Sequence, residues 1–336
     1  GWSPIYTFIT RNDANTIKNK DNLLERYLIF GDLGVQDGIC LPDMQEKVLN
    51  GNYDVLIHLG DFAYNFYEEN GTRGDNFMKA IEPISSRIQY MVTPGNHEAA
   101  YNFSHYSQRF RGQPENTEYP IVWTESGPTP NNWFFSWNNG LVHWISVSTE
   151  IYFDFPYMIS DQYNWLDQDL TKANNNRTNA PWIIVYGHKP LYCSDDVGDC
   201  GSNAELVRNG PKNEMGLESL FYKHGVDFYF CGHNHDYERM YDIYQSSTTH
   251  ATTNMAATTY IVSGSAGNRE GHDGFSKNQP TWSAFRSTDY SYTEWNVINS
   301  THIQLKQYSV DESQYIDTVT YIQTNHGPFG NKTKAL

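Results

Sequence analysis

The chain has 336 residues, 38% of them hydrophobic and 18% charged, as in a folded globular protein of one large domain or two ordinary ones. Its formal net charge of -16 leaves no basic surface for a nucleic-acid backbone and repels anionic membranes. No apolar run approaches the roughly 18 residues needed to cross a bilayer, so no segment reads as a membrane span.

Gly1-Trp2-Ser3-Pro4 leads into a strand-like stretch from Ile5 to Thr10, and residues 11 to 25 read as a polar linker. The chain is therefore expected to be a piece of a longer precursor. Beyond it, short apolar runs end one after another in glycine. Tyr27-Leu28-Ile29-Phe30 meets Gly31-Asp32, and Val55-Leu56-Ile57-His58-Leu59 meets Gly60-Asp61. Gln89 to Val92 leads to Gly95-Asn96-His97, and Trp182 to Tyr186 meets Gly187-His188. Val226 to Cys231 meets Gly232-His233-Asn234-His235. Such runs suit strands buried on both faces. Helical stretches are predicted at about 75–88, 161–173 and 213–224, the last closed by Lys223-His224-Gly225. Strands alternating with helices predict a layered α/β domain, with reactive groups just past the carboxyl ends of the strands. After about residue 256 strands and turns take over, with Tyr260-Ile261-Val262 and Ile303 to Tyr308, and a second antiparallel layer is expected there.

Asn-x-Ser/Thr sequons at Asn70, Asn102, Asn176, Asn299 and Asn331 sit in polar context and, with the low lysine content, point to the secretory route, secreted or lysosomal. Of the four cysteines, Cys193 and Cys200 bracket an acidic loop that a disulfide could close, and Cys231 reads as a buried thiol; three pairings are open.

The five glycine junctions carry the chemistry. Glycine lets the backbone turn and approach closely, and each is followed by carboxylate, amide or imidazole. Such mixed oxygen and nitrogen donors, with no thiolate among them, suit iron, manganese or zinc. Two ions sharing a carboxylate clamp the attacking and leaving oxygens of an in-line displacement, the chemistry of phosphoester hydrolysis.

Asp32-x-Gly34, Gly60-Asp61-x-x-Tyr64, Gly95-Asn96-His97-Glu98, His188 and Gly232-His233-x-His235 resemble the five blocks of the purple acid phosphatases, in the metallophosphoesterase superfamily. The likeness runs from about residue 26 to His326-Gly327-Pro328. Asn102-Phe103-Ser104-His105-Tyr106, Tyr237-Glu238-Arg239-Met240, Gly264 to Glu270 and Ser283-Ala284-Phe285-Arg286 resemble the animal iron/zinc group. The opening residues resemble the last strand of a preceding fibronectin-like domain, so the resemblance implies that 1–25 is that strand plus linker and 26–336 the catalytic domain. The implied fold is an α/β/β/α sandwich of two mixed sheets flanked by helices.

The resemblance also implies an acid phosphatase acting on small phosphate monoesters, with a hydroxide held by the two metals as nucleophile. Gly34 stands where most of the superfamily has histidine, and Tyr64 compensates: a hard phenolate favours Fe(III). By analogy Fe(III) takes Asp32, Tyr64 and His235; a divalent ion (Zn, Mn or Fe) takes Asn96, His188 and His233; Asp61 bridges. Asn96 and His97 are the phosphate-binding candidates, with His97 the acid for the leaving oxygen and Glu98 orienting it. Arg239 either contacts phosphate or forms a supporting salt bridge. Plant-type relatives carry a histidine pair where this chain has Val197 and Gly198, and His105 or His272 could substitute. Asp195, Asp196 and Asp199 in that loop either repel polyphosphates at the cleft or lie in solvent far from the metals. A phosphodiesterase or nucleotide pyrophosphatase on the same centre, or a non-catalytic metal-binding relative, are the alternatives. The oligomeric state is left open.

Overall fold

Side-chain parity along the central strands explains the layering. The computed structural model describes residues 5–7, 25–196 and 198–331. The predicted strand from Ile5 to Thr10 and the 11–25 linker lie almost wholly outside them. In chain order the first half contains β1 (Glu25–Phe30), β2 (Leu33–Gly34), α1 (Leu41–Leu49), β3 (Val55–His58), β4 (Phe62–Ala63), α2 (Thr72–Ser85), β5 (Gln89–Val92), α3 (Ser104–Arg109), β6 (Ile121–Thr124), β7 (Gly127–Pro130), β8 (Phe135–Asn139) and β9 (Val142–Ser146). There follow α4 (Ile159–Asn175), β10 (Trp182–Tyr186), α5 (Ser202–Asn209), α6 (Leu217–His224), β11 (Phe228–Cys231), β12 (Tyr237–Tyr244), β13 (Ser247–Thr248), β14 (Thr258–Ser263), β15 (Ser283–Ser287), β16 (Ser291–Val297), β17 (His302–Ser309) and β18 (Gln314–Ile322).

Two mixed sheets result: β18-β17-β16-β1-β3-β5, and β13-β12-β14-β11-β10-β9-β8 with β15 on β12. Successive side chains on a strand point to opposite faces. Tyr27 and Ile29 of β1 therefore meet Trp182, Ile184 and Tyr186 of β10, Phe228 and Phe230 of β11 and Trp295 of β16 between the sheets. The alternate residues Leu28, Phe30, Ile183 and Val185 face outward, in the larger core that contains Met44, Phe77 and Ile81 of α1 and α2 and Leu166 and Leu220 of α4 and α6. Both faces of the central strands are covered, which is why they read as unbroken apolar runs.

The tail does not make a separate layer. β16 pairs antiparallel with β1, and β17 and β18 extend that same sheet, while β14 runs parallel to β11 in the other. Trp295, Leu305 and Val297 are buried in the inter-sheet core. The sequence reading missed α1, α3 and α5; α1 has Pro42 in its first turn, where the absent N–H costs nothing. No helix among the described residues is long and apolar enough to cross a membrane.

β1, β3 and β5 are parallel neighbours in one sheet, and β9, β10, β11 and β14 are parallel in the other. Their carboxyl ends meet, and there the five glycine junctions converge.

Candidate metal centre

The glycines of one junction make room for the carboxylates of another. A Cβ on Gly95 would lie 2.2 Å from Asp61 Oδ1, and one on Gly232 would lie 2.2 Å from Asp32 Oδ2. Asp32, Asp61, Tyr64 and His233 all adopt left-handed backbone conformations, with φ of 65°, 55°, 48° and 70°. Each such residue costs of order 1 kcal/mol, and the clustering of strain marks functional loops.

Two groups of donors form around Asp61. In the first, the Tyr64 hydroxyl lies 3.3 Å from Asp32 Oδ1 and 2.9 Å from His235 Nε2. In the second, His188 Nε2 lies 3.1 Å from both Asp61 Oδ2 and Asn96 Oδ1. One donor atom from each of Asp61, His188 and His233 falls within 4.8 Å of the others. The imidazoles are locked in the same way: His188 Nδ1 lies 2.8 Å from the Leu59 carbonyl and His235 Nδ1 lies 3.0 Å from the Gly271 carbonyl. A carbonyl can only accept, so Nδ1 carries the proton and the bare Nε2 turns inward. Carboxylate oxygen, amide oxygen and bare nitrogen are all acceptors. Converging acceptors fit a bound cation.

The electrostatics agree. Burial, then the charge of Asp61, pushes Asp32 well above the usual carboxylate range. Burial works in the same direction on Asp61, but the imidazoles of His188 and His97 outweigh it and hold it low. Tyr64 is raised by burial and by the Asp32 and Asp61 charges. Burial lowers His235 and takes His233 down to about 4, the direction that favours the neutral imidazole a metal ion needs. The charge of Asp61 acts on members of both groups, which places it centrally.

His97 follows Asn96 and caps the cleft. Its N–H donates to Asp61 Oδ1 at 2.9 Å, and its ring lies 4.4 Å from that of Tyr64. Glu98 does not orient it. The Glu98 carboxylate is buried and accepts the N–H groups of Asp61, Phe62 and Gly95, tying two junctions together. Asn65 holds His97 instead: its Oδ1 lies 2.6 Å from His97 Nδ1. Glu270 Oε1 lies 3.7 Å from His97 Nε2. Arg269 donates two hydrogen bonds to Glu68, which accepts from Asn65, so the 264–273 loop and the Asn65 turn are clamped together.

The remaining candidates divide. Arg239 makes a two-pronged salt bridge with Asp317, at 2.6 and 3.1 Å, and Tyr237 donates to the same carboxylate, so both join the two sheets rather than face the cleft. His272 lies against Tyr290 with the rings tilted by 44°, and His105 lies beside Tyr101. Val197 lies outside the described residues. Cys193 and Cys200 are joined as a disulfide, while Cys231 and Cys40 are buried free thiols. The closed loop is not remote: Asp199 Oδ2 lies 3.5 Å from His233 Nε2. Asn70, Asn102 and Asn299 are exposed, Asn176 is half-buried at the end of α4, and the Asn331 side chain lies outside the description.

Sequence reasoning missed Asn65, Glu270 and Lys189. Lys189 Nζ lies 3.3 Å from Asn96 Oδ1 and 3.0 Å from His233 Nε2. A signal existed for two of them. Asn65 follows Tyr64 and Lys189 follows His188, just as His97 follows Asn96.

Residues 25–237 match the Calcineurin-like phosphoesterase family, and residues 257–318 match the Iron/zinc purple acid phosphatase-like protein C family. Acid phosphatase type 7 of Danio rerio is 42% identical over 345 residues, covering 98% of this chain and 73% of that protein. The protein of that name from Homo sapiens is 38% identical, covering 97% and 73%. The structure of purple acid phosphatase PPD1 from yellow lupin (Lupinus luteus) superposes with a TM-score of 0.76 at 22% identity; this chain spans 57% of that one, and the likeness is one of fold. The chain belongs to the purple acid phosphatases, a family of dinuclear metal hydrolases within the Calcineurin-like phosphoesterases.

Proposed function

We propose that this chain is an acid phosphatase that hydrolyses small phosphate monoesters, with 26–336 as its catalytic domain. In this reading Asp32, Tyr64 and His235 hold Fe(III), while Asn96, His188 and His233 hold a divalent ion (Zn, Mn or Fe). Asp61 is shared. The observation that carries it is the inward convergence of acceptors at His188 Nε2, 3.1 Å from both Asp61 Oδ2 and Asn96 Oδ1. When bound, the ions supply the nucleophile and absorb charge in the transition state.

The chain's own residues do the rest. Two anionic oxygens, the Asp32 carboxylate and the Tyr64 phenolate, suit a trivalent ion, and an amide with two neutral imidazoles suits a divalent one. Asn65 fixes His97 through Nδ1 at 2.6 Å, which leaves Nε2 aimed past Asp61 and Glu270, 3.8 and 3.7 Å away. Both distances are too long for a hydrogen bond, so that edge is open to phosphate. As an imidazolium, His97 holds a phosphate oxygen or gives its Nε2 proton to the leaving oxygen. Asp199, 3.5 Å from His233, adds negative charge at the opposite side and disfavours polyphosphates. The disulfide and the exposed sequons support a secretory-route protein, secreted or lysosomal.

Hydrolysis of para-nitrophenyl phosphate from pH 4 to 8 tests this, with His97→Ala alongside. The expected result is activity highest on the acid side and about 10²–10⁴-fold lower in the variant, the usual contribution of a positioned acid. Faster cleavage of bis-para-nitrophenyl phosphate or ATP than of the monoester would replace this reading with a diesterase or pyrophosphatase.

A further inference from the structure

Lys189 is fixed by its backbone on both sides. Its N–H donates to the Thr149 hydroxyl at 2.9 Å, and its carbonyl accepts from the Tyr229 hydroxyl at 2.8 Å. The side chain is nearly buried, and its ammonium lies 5.0 Å above the Phe153 ring. Behind it, Glu150 is wholly buried; one of its oxygens accepts from the Thr149 hydroxyl, and the other, with no hydrogen bond, lies 3.9 Å from Lys189 Nζ. At that distance the carboxylate balances the charge without using the ammonium's donors.

Those three donors point elsewhere. Asn96 Oδ1 and His233 Nε2, 3.3 and 3.0 Å away, are atoms that the second ion would claim. With them engaged by an ion, the ammonium is a buried cation beside another cation. An anionic oxygen between the two satisfies both. His97 stands on the Tyr64 side of the centre, and Lys189 stands on the His233 side.

We propose that Lys189 is a substrate-binding residue that holds a phosphate oxygen at the second-ion side, with Glu150 as its buried counter-ion. This rests on the phosphomonoesterase reading. A lysine held as a point charge attracts the phosphoryl group in ground state and transition state alike, so its removal raises KM more than it lowers kcat.

The test is calorimetry of inorganic phosphate binding to the metal-loaded protein, with metal content and para-nitrophenyl phosphate kinetics on the same samples. Lys189→Met is expected to weaken phosphate binding and raise KM by about 10–100-fold, the range of a lost hydrogen bond to a charged group, with both ions retained; Lys189→Arg recovers most of it. Lys189→Gln serves if Lys189→Met does not fold. Unchanged phosphate affinity in the neutral variants overturns the proposal. Loss of an ion does so too, since the lysine would then be serving the ligand shell. Recovery of affinity in Lys189→Met/Glu150→Gln also overturns it, because the lysine would only be neutralising Glu150. If the unaltered, metal-loaded protein binds no phosphate, the functional reading itself fails.

Discussion

The two halves of the centre are built from the same parts and differ in charge. Each has an imidazole locked by a backbone carbonyl, Gly271 for His235 and Leu59 for His188. The first half adds a carboxylate and a phenol that touch each other, Asp32 and Tyr64 at 3.3 Å. The second adds an amide and has an ammonium, Lys189, against its donors. The candidate ligands of the first half include two acidic groups and those of the second none, with Asp61 between them. A symmetric pair of ions has no reason to meet so asymmetric a cradle, and in our reading a trivalent and a divalent ion divide it accordingly.

Asp61→Asn strikes both halves and should have the largest effect. Activity on a monoester is expected to fall by more than about 10³-fold, beyond the loss from a single charge-stabilising donor, with both ions depleted in elemental analysis. Tyr64→Phe should separate the halves. We expect loss of the visible charge-transfer absorption and of the first ion, an activity drop of roughly 10²-fold, and retention of the second ion. Colourless, active, iron-loaded protein with Tyr64 intact would remove the phenolate from the account.

Opening the Cys193–Cys200 loop by a double change to serine should disturb the second half alone. A short closed loop contributes about 2–3 kcal/mol, read from urea unfolding. Asp199 leaves His233, and the divalent ion should exchange faster while the iron absorption persists. The smallest effect belongs to the clamp on the first half. Hydrogen bonds from Arg269 and Asn65 lower the Glu68 carboxyl from its ordinary 4.5 to about 2. A carboxyl lowered by folding stabilises above its unfolded value and loses that contribution as the pH falls through the folded one. Glu68→Gln should therefore cost about 0.2–1 kcal/mol above pH 5, a difference that vanishes towards pH 2 in thermal scans.

Much of this was legible because glycine junctions and unbroken apolar runs are local signals. The strand runs ending at Phe30, Leu59, Tyr186 and Cys231 place the sheet carboxyl ends, and the side chain after each glycine (Asp32, Asp61, Asn96, His188 or His233) is a candidate donor. What the sequence hid is long-range. That β16 would return to pair with β1 depends on which surface Trp295 and Leu305 can bury, not on their own alternation. Glu98 looked like the partner of its neighbour His97, yet its carboxylate is spent on the N–H groups of Asp61, Phe62 and Gly95. The partner of His97 is Asn65, 32 residues away, and only the fold brings them together. Whether the acidic loop met the cleft was equally unreadable, since it turns on where a disulfide swings Asp199.

The most direct measurement strips the protein of metal with a chelator and restores ions in stages, following bound ions per chain and para-nitrophenyl phosphate turnover together. A two-ion centre gives little turnover with one ion per chain and full turnover with two, one of them iron with a visible absorption that requires Tyr64. Full turnover with a single ion, or with none, would contradict it.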